Sequence, residues 1–252
     1  MKSPKRPKIR LDDLLVERGL AGDRRQAQAL ILSGAILVDE RPAASAGTLT
    51  PADAQLRVRG ESSPYVSRGG IKLRGALDSF GISVAGLTAL DVGASTGGFT
   101  DCLLQAGAAK VYAVDVAYGQ LAWKLREDPR VVAIERTNIR TYGGDRISDG
   151  IDIAVIDVSF ISLRLVLAPV LKLLTTGGLI VALVKPQFEA GKGEVDDRGV
   201  VRDPELHRRV LAEVEAYGRD LGMTFLGQCD SPLEGPAGNK EFFLCFKKPP
   251  AG

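Results

Sequence analysis

The chain carries one histidine in 252 residues, His207. Ser-His-Asp hydrolysis and histidine-rich metal centres therefore have almost no material to work with. His207 falls in a helical pattern, DPELHRRVLAEVEAYGRDLG, and is expected on the surface. Cysteine is nearly as scarce: Cys102, Cys229 and Cys245 are scattered, odd in number, and form no C-x-x-C pair. That usage predicts neither a disulfide framework nor a zinc site, and it fits a reducing cytoplasm. No apolar run approaches the ~18 residues that a membrane span requires. The start, MKSPKRPKIRLDD, is basic but lacks the apolar region of a secretory signal, so a cytoplasmic protein is expected. What is present is ordinary globular composition, 45% hydrophobic and 25% charged, with room for a large core and a small appendage.

The formal charge of +2 hides an asymmetry. Residues 1–75 hold 14 Lys/Arg against 8 Asp/Glu, while residues 76–252 hold 19 against 23. A basic module ahead of a mildly acidic one suggests that the first part handles a polyanion, with solvated surface charge as the alternative. Pattern adds more than charge does. IRLDDLLVERGL puts Leu11, Leu14 and Leu15 on one helical face and stops at Gly19. Asp23 can cap a second helix, RRQAQALILSG, with Ala27, Leu30 and Ile31 inward and Arg24 and Arg25 in its first turn. Two short strands, AILVD and QLRVR, follow Gly34. Over about residues 8 to 60 this order resembles the S4-type RNA-binding domain, in which helix-borne basic residues grip phosphates. Domain boundaries are expected at 1–60 for this module and 61–67 for a Gly/Ser/Pro-rich joint, with a catalytic domain over 68–252.

The most informative stretch is DVGASTGGFTD, residues 91–101. A strand, LTALDV, runs into a glycine-rich turn, and a helix opens at Gly98-Phe99-Thr100. An α/β sheet presents backbone N–H groups to a nucleotide-like ligand in this way. A dinucleotide fingerprint is excluded because position 95 is Ser95, and a P-loop because no lysine occurs between Asp91 and Lys110. An acid at the strand end followed by G-x-x-x-G-G remains, as in class I S-adenosylmethionine pockets; a tight strand–helix connection is the bland alternative. The next strand, KVYAVDV, ends in Asp115, ~20 residues on, where such sites place an acceptor for ribose hydroxyls. Capping of a helix starting near Gly119 would be the plainer role for that acid.

Strands and helices alternate from residue 71 onward, and the near-continuous apolar strands predict a mostly parallel sheet covered on both faces. Seven strands, the last two hairpin-like, match a class I methyltransferase sheet. Chemistry belongs at the carboxyl ends of its strands. Asp157 ends VIDVSF, Lys185 ends LVKPQF before Pro186, Glu241 opens the final strand in GNKEFF, and Lys72 comes from the first helix. Taken singly, Lys72 and Glu241 could be solvated surface, Asp157 a helix cap and Lys185 a strand-end gatekeeper. In this order the four match the K-D-K-E tetrad of RNA 2′-O-ribose methyltransferases, including the FtsJ-like group.

Together SRGGIKL, DVGASTGGFTD, AVDVAYGQLAWKLREDPRV, ERTNIR, DVSFISL, LVKPQFEAGKGEV and GPAGNKEFF resemble the TlyA family of bacterial rRNA 2′-O-methyltransferases, long labelled haemolysin, over about residues 10 to 247. The resemblance implies S-adenosylmethionine as donor and a cytidine ribose of ribosomal RNA as acceptor. It places Lys72, Asp157, Lys185 and Glu241 in the active site. It puts Asp91, Gly93, Ser95, Thr96, Gly97, Gly98, Phe99, Asp115, Asn138 and Asp157 around the cofactor. Members modify large-subunit RNA alone or the RNA of both subunits; the chain's end at KKPPAG, soon after its last strand, favours the narrower type.

A 2′-hydroxyl is a poor nucleophile, whereas a sulfonium methyl is already activated, so in-line placement and a destination for one proton are the main needs. Lys185 is the expected acceptor of that proton, with a neighbouring cation such as Lys72 making it the better base. Asp157 and Glu241 would fix the ammonium groups, and no metal is expected. Arg10, Arg24, Arg25, Arg68, Arg140 and Lys192 are candidate phosphate contacts, and Phe160 is a candidate platform for a displaced base. Rival readings are a membrane-acting haemolysin, for which the sequence offers no strongly amphipathic cationic helix, and a small-molecule methyltransferase with an incidental basic arm.

Overall fold

The computed structural model describes residues 8–58, 63–191, 193–235 and 238–250. The chain divides into two units, Met1–Ser63 and Pro64–Gly252. In the first, β1 (Lys8–Arg10) runs directly into α1 (Leu11–Glu17), followed by α2 (Arg24–Leu32), β2 (Ile36–Val38), β3 (Arg41–Pro42), β4 (Leu49–Pro51) and β5 (Leu56–Val58). Asp23 caps α2 by accepting from the Gln26 N–H at 2.7 Å. Leu11, Leu15, Ala27, Ile31 and Ile36 form the buried core. The expected first helix begins two residues late. Ile9 pairs with Thr50 of β4, and the Leu11 N–H is bonded to the Thr48 carbonyl, so strand pairing outweighs local helical pattern there.

The second unit holds α3 (Gly69–Phe80), β6 (Thr88–Val92), α4 (Gly98–Gln105), β7 (Lys110–Val114), α5 (Trp123–Arg126), β8 (Val131–Ile134), β9 (Ile151–Ile156), α6 (Leu167–Leu173), β10 (Leu174–Val184), α7 (Pro186–Glu189), α8 (Pro204–Asp220), β11 (Thr224–Asp230) and β12 (Phe242–Lys247). Seven of these strands make one sheet in the order β11-β12-β10-β9-β6-β7-β8. Only β12 runs against the others. The chain winds outward from β6 through β7 to β8, then crosses back to β9 on the other side of β6. Ligand sites of doubly wound sheets lie at the carboxyl ends beside such a reversal.

The two-residue period of the strands assigns each side chain to a face. Leu90, Val92, Ala154, Ile156, Ile180, Ala182, Val184, Leu244 and Phe246 pack under α6 and α8. Ala89, Val111, Ala113, Ile153, Val155, Val181, Leu183, Phe243 and Cys245 pack with Leu73, Ala76 and Leu77 of α3 and Phe99, Cys102 and Leu103 of α4. Carried one step further, the second parity includes Asp91, Asp115, Asp157, Lys185 and Glu241. All five ionisable groups therefore fall on the α3/α4 side of one sheet edge. No pattern in composition would have required that.

Three expectations need revision. The helix foreseen over QLAWKLRED shrinks to α5, because the Ala122 N–H is tied to the Thr96 carbonyl and Asp128 precedes Pro129. LRLVLAPVLKLL opens as a 3₁₀ turn, Leu163–Leu165, capped by Ser162. His207 is buried: its ring nitrogen lies 3.0 Å from the Val201 carbonyl and its edge meets Phe242 at 5.4 Å. It stands at the head of the stripe His207, Val210, Leu211, Val214, so the 3.6-residue period carries it inward. Among the described residues, no helix is long and apolar enough to cross a membrane.

Gly218 continues the same α8 stripe, and a Cβ there would lie 2.5 Å from the Phe246 ring. Gly218→Ala should therefore destabilise the chain by about 1–3 kcal/mol through overpacking, although alanine is the better helix former. Urea denaturation would show this as a lowered midpoint; an unchanged or raised midpoint contradicts the close approach.

Candidate active site

Gly93 leaves β6 at φ +87°, and a Cβ on it would lie 2.3 Å from the Asp157 carbonyl. The Asp157 N–H in turn donates to the Val92 carbonyl at 2.9 Å, so the glycine turn is pressed against the end of β9. Ser95 adopts φ +49°, a left-handed conformation that a side chain makes costly. The Ser95 N–H donates to Asp115 Oδ2 at 2.7 Å, and Asp115 Oδ1 accepts from the Ala117 N–H at 2.7 Å. Asp115 is therefore no helix cap. It clasps the turn while staying half-exposed, with lone pairs left over. Ser95 and Thr96 are exposed, Gly97 backs onto Leu121 and Leu125, and Gly98 onto Ser67. Phe99 is buried near Phe243, and Asn138 is exposed, accepting from the Arg140 N–H at 3.1 Å.

Asp91 is wholly buried beneath this turn. Thr100 Oγ1 donates to its Oδ2 at 2.6 Å, while Oδ1 is buried without a partner. Burial pushes the Asp91 carboxyl up to about 7, with the Thr100 hydrogen bond opposing and the charge of Asp157 reinforcing. An orphaned acceptor here fits a ligand that brings its own donor or positive charge.

The four tetrad candidates meet as two ion pairs. Lys72 of α3 is bonded to Glu241, both almost fully buried. Lys185 Nζ lies 2.5 Å from Asp157 Oδ1 and donates to Ser159 Oγ at 2.9 Å. Register explains the proximity, since Val184 pairs with Phe242 and Ala182 with Ile156, placing Lys185 between the ends of β12 and β9. Among the described residues no hydrogen bond or ion pair joins one pair to the other. The charge of Lys72, expected to act on Lys185, is instead neutralised by Glu241.

Sequence reasoning missed several supports. Ser159 holds Lys185, and Thr100 holds Asp91. Glu189 is buried and accepts from Ser162 Oγ at 2.6 Å and the Leu163 N–H at 2.7 Å. Burial raises the Glu189 carboxyl above its ordinary value, against those hydrogen bonds. Phe160, at φ +62° and 90% exposed, leans on Phe188 of α7 at 4.9 Å. Glu189 and Phe188 thus fasten the loop after β9 to α7. The hydroxyl two residues beyond Asp157 and the acid four beyond Lys185 were the available signals.

The cationic candidates are less uniform. Arg68 donates to the Glu234 carbonyl at 3.1 Å, Arg140 and Arg25 are exposed, and Lys192 lies outside the described residues. Arg10 and Arg24 are not bare cations, because both are bonded to the buried Asp12.

Sheet order and glycine turn define a class I methyltransferase fold. A profile of the FtsJ-like methyltransferase family matches residues 65–248, and one of the S4 domain matches residues 9–53. The chain belongs to the FtsJ-like methyltransferases and, among them, to the TlyA family. The 16S/23S rRNA (cytidine-2′-O)-methyltransferase TlyA of Mycobacterium tuberculosis is 49% identical over 241 residues, which cover 95% of this chain and 90% of that one. Hemolysin A of Brachyspira hyodysenteriae is 40% identical over 94% of this chain and 99% of its own. A solved structure bearing a hemolysin name, from Streptococcus thermophilus, superposes with a TM-score of 0.76 at 43% identity, covering 96% of this chain and 89% of that one.

Asp91 keeps its proton to about pH 7 in the folded chain, against 3.8 for the free group. The folded state therefore holds an extra proton between about pH 4 and 7, and stability falls as pH rises through that window. Asp91→Asn removes this dependence. Its stability relative to the native chain should improve with pH from about 4 to about 7 and then level off; a pH-independent difference in denaturation midpoint contradicts the shift.

Proposed function

We propose that the chain transfers a methyl group from S-adenosylmethionine to the 2′-hydroxyl of a cytidine in ribosomal RNA. The carrying observation is the pair of amine–acid contacts, Lys185–Asp157 and Lys72–Glu241, at the sheet edge that also bears the glycine turn. Identity to the Mycobacterium tuberculosis enzyme supports the substrate class. Bound there, S-adenosylmethionine supplies a methyl group already activated on a sulfonium.

The residues present fit that cofactor. The glycines of the turn Gly93–Phe99 let it pack closely against Asp157, Leu121, Leu125 and Ser67, Ser95 and Thr96 stay exposed at the sheet edge, and Asp115 retains acceptor capacity for ribose hydroxyls. Asn138 stands on the adjoining rim. The orphaned Asp91 oxygen suits the amino end or positive charge of the same ligand. Lys185, fixed by Asp157 and Ser159, would orient the 2′-hydroxyl and, as the neutral amine, accept its proton as the methyl carbon–sulfur bond breaks and the carbon–oxygen bond forms. Lys72 and Glu241 neutralise one another and hold α3 against the start of β12.

Substrate capture falls to the cationic residues. The S4 domain, assigned to residues 1–60, grips RNA phosphates, and the catalytic domain, assigned to residues 68–252 beyond a joint at 61–67, adds Arg68, Arg140 and Lys192. Phe160 offers an exposed ring for stacking against a displaced base. Such a protein works where ribosomes are assembled, in the cytoplasm.

Lys185→Ala should lower methyl transfer to ribosomal RNA by at least ~10²-fold, the usual contribution of a positioned acid–base group. S-adenosylmethionine affinity should stay near the native value. A tritiated-methyl assay on ribosomal subunits and deproteinised rRNA, with calorimetry for the cofactor, reads both; native-like turnover removes Lys185 from the reaction.

A further inference from the structure

Within the N-terminal unit, Asp12 is completely buried yet ionised. Its Oδ1 accepts from Arg10 Nε at 3.0 Å and from the Asp13 N–H at 3.1 Å. Its Oδ2 accepts from Arg10 Nη2 at 2.8 Å, Arg24 Nε at 3.1 Å and Gln28 Nε2 at 3.0 Å. The Arg10 guanidinium, ahead of any other contact, holds the Asp12 carboxyl far below the usual carboxylate range. Five donors on one carboxylate remove the penalty that a buried charge otherwise carries.

The arginines it holds are not buried with it. Side-chain exposure is 42% for Arg10 and 51% for Arg24. Each guanidinium has five N–H donors, and the contacts to Asp12 and Asp13 occupy Nε and Nη2 of Arg10 and Nε of Arg24. Among the described residues, Arg10 Nη1 and both terminal nitrogens of Arg24 make no hydrogen bond. Gly47 lies alongside: a Cβ there would come within 3.3 Å of Arg10 Nη1, so its bare backbone leaves that edge of the guanidinium uncrowded. Two half-exposed guanidinium groups from different elements, β1 and α2, are thus tied to one buried anchor and keep unspent donors.

We propose that Asp12 is a positioning residue for an RNA-phosphate site formed by Arg10 and Arg24; this rests on the RNA-methylating reading of the chain. Freezing a long arginine side chain costs rotamer entropy at the moment of binding. Asp12 meets that cost during folding, and the bidentate geometry matches a phosphate oxygen pair. Its negative charge works in the opposite sense, weakening attraction for a polyanion. Orientation outweighs that effect because the carboxylate lies beneath the guanidinium groups, which stand between it and the phosphate, and salt screens the remaining repulsion.

The two effects predict opposite signs, so Asp12→Asn decides between them. It deletes a negative charge, and charge alone would tighten RNA binding. Positioning predicts that affinity of the full chain for an rRNA fragment falls about tenfold near 0.15 M salt. The slope of log K against log salt should also become shallower by about 1 to 2, the loss of one or two phosphate contacts at ~0.9 each. Thermal unfolding and S-adenosylmethionine binding serve as folding controls. A second variant, Arg10→Lys with Arg24→Lys, keeps every charge and leaves Asp12 in place; it should lose at least about fivefold in affinity because an ammonium cannot form the fork. Equal or tighter binding by either variant, or an unchanged salt slope for Asp12→Asn, overturns the proposal while leaving the methyltransferase reading intact. Failure of the native chain to bind the rRNA fragment at all would overturn both.

Discussion

Gly93 passes so close to the end of β9 that no side chain fits between its Cα and the Asp157 carbonyl. That approach fixes the geometry of everything around it. It brings the glycine turn and the first acid of the site onto one line, with the Asp157 N–H returning a hydrogen bond to Val92. Lys185 then reaches Asp157 from β10, and Glu241 reaches Lys72 from β12. A wider separation of β6 and β9 would part the glycine turn from the amine–acid pair.

The site concentrates unfavourable features around that contact. A carboxyl is buried at Asp91, and left-handed backbone occurs at Ser95 and Phe160, as it does among the other described residues at Asp39, Glu40 and Arg136. Each is the kind of cost that a fold accepts where a ligand or substrate recovers it. The supports are correspondingly specific: Thr100 on Asp91, Asp115 on the Ser95 N–H, and Phe188 with Glu189 on the loop that carries Phe160. Elsewhere in the second unit the sheet is filled mostly with aliphatic side chains.

Much of this was legible in the sequence, for identifiable reasons. Near-continuous apolar runs such as IDIAVIDV and GGLIVALVK marked the strands, and DVGASTGGFTD marked the turn. The order Lys72, Asp157, Lys185, Glu241 gave the charged site, because strand ends are marked by abrupt changes such as the Lys185–Pro186 junction. Pairing was not legible. Which amine meets which acid depends on strand register, and sequence reasoning let Lys72 act on Lys185 when Glu241 neutralises it. His207 was misplaced by its polarity, although its spacing from Val210, Leu211 and Val214 already put it on the buried stripe. Arg10 and Arg24 looked like free cations because Asp12 was counted only as charge. Its complete burial is a tertiary fact, set by the packing of β1, α1 and α2.

The central claim is delivery of a methyl group from this sheet edge to a ribose oxygen. Unmethylated ribosomal subunits incubated with the chain and isotopically labelled S-adenosylmethionine, then digested to nucleosides for mass spectrometry, test that claim most directly. Label should appear in 2′-O-methylcytidine. Label on a nucleobase, or none in RNA while small metabolites acquire it, would contradict the account.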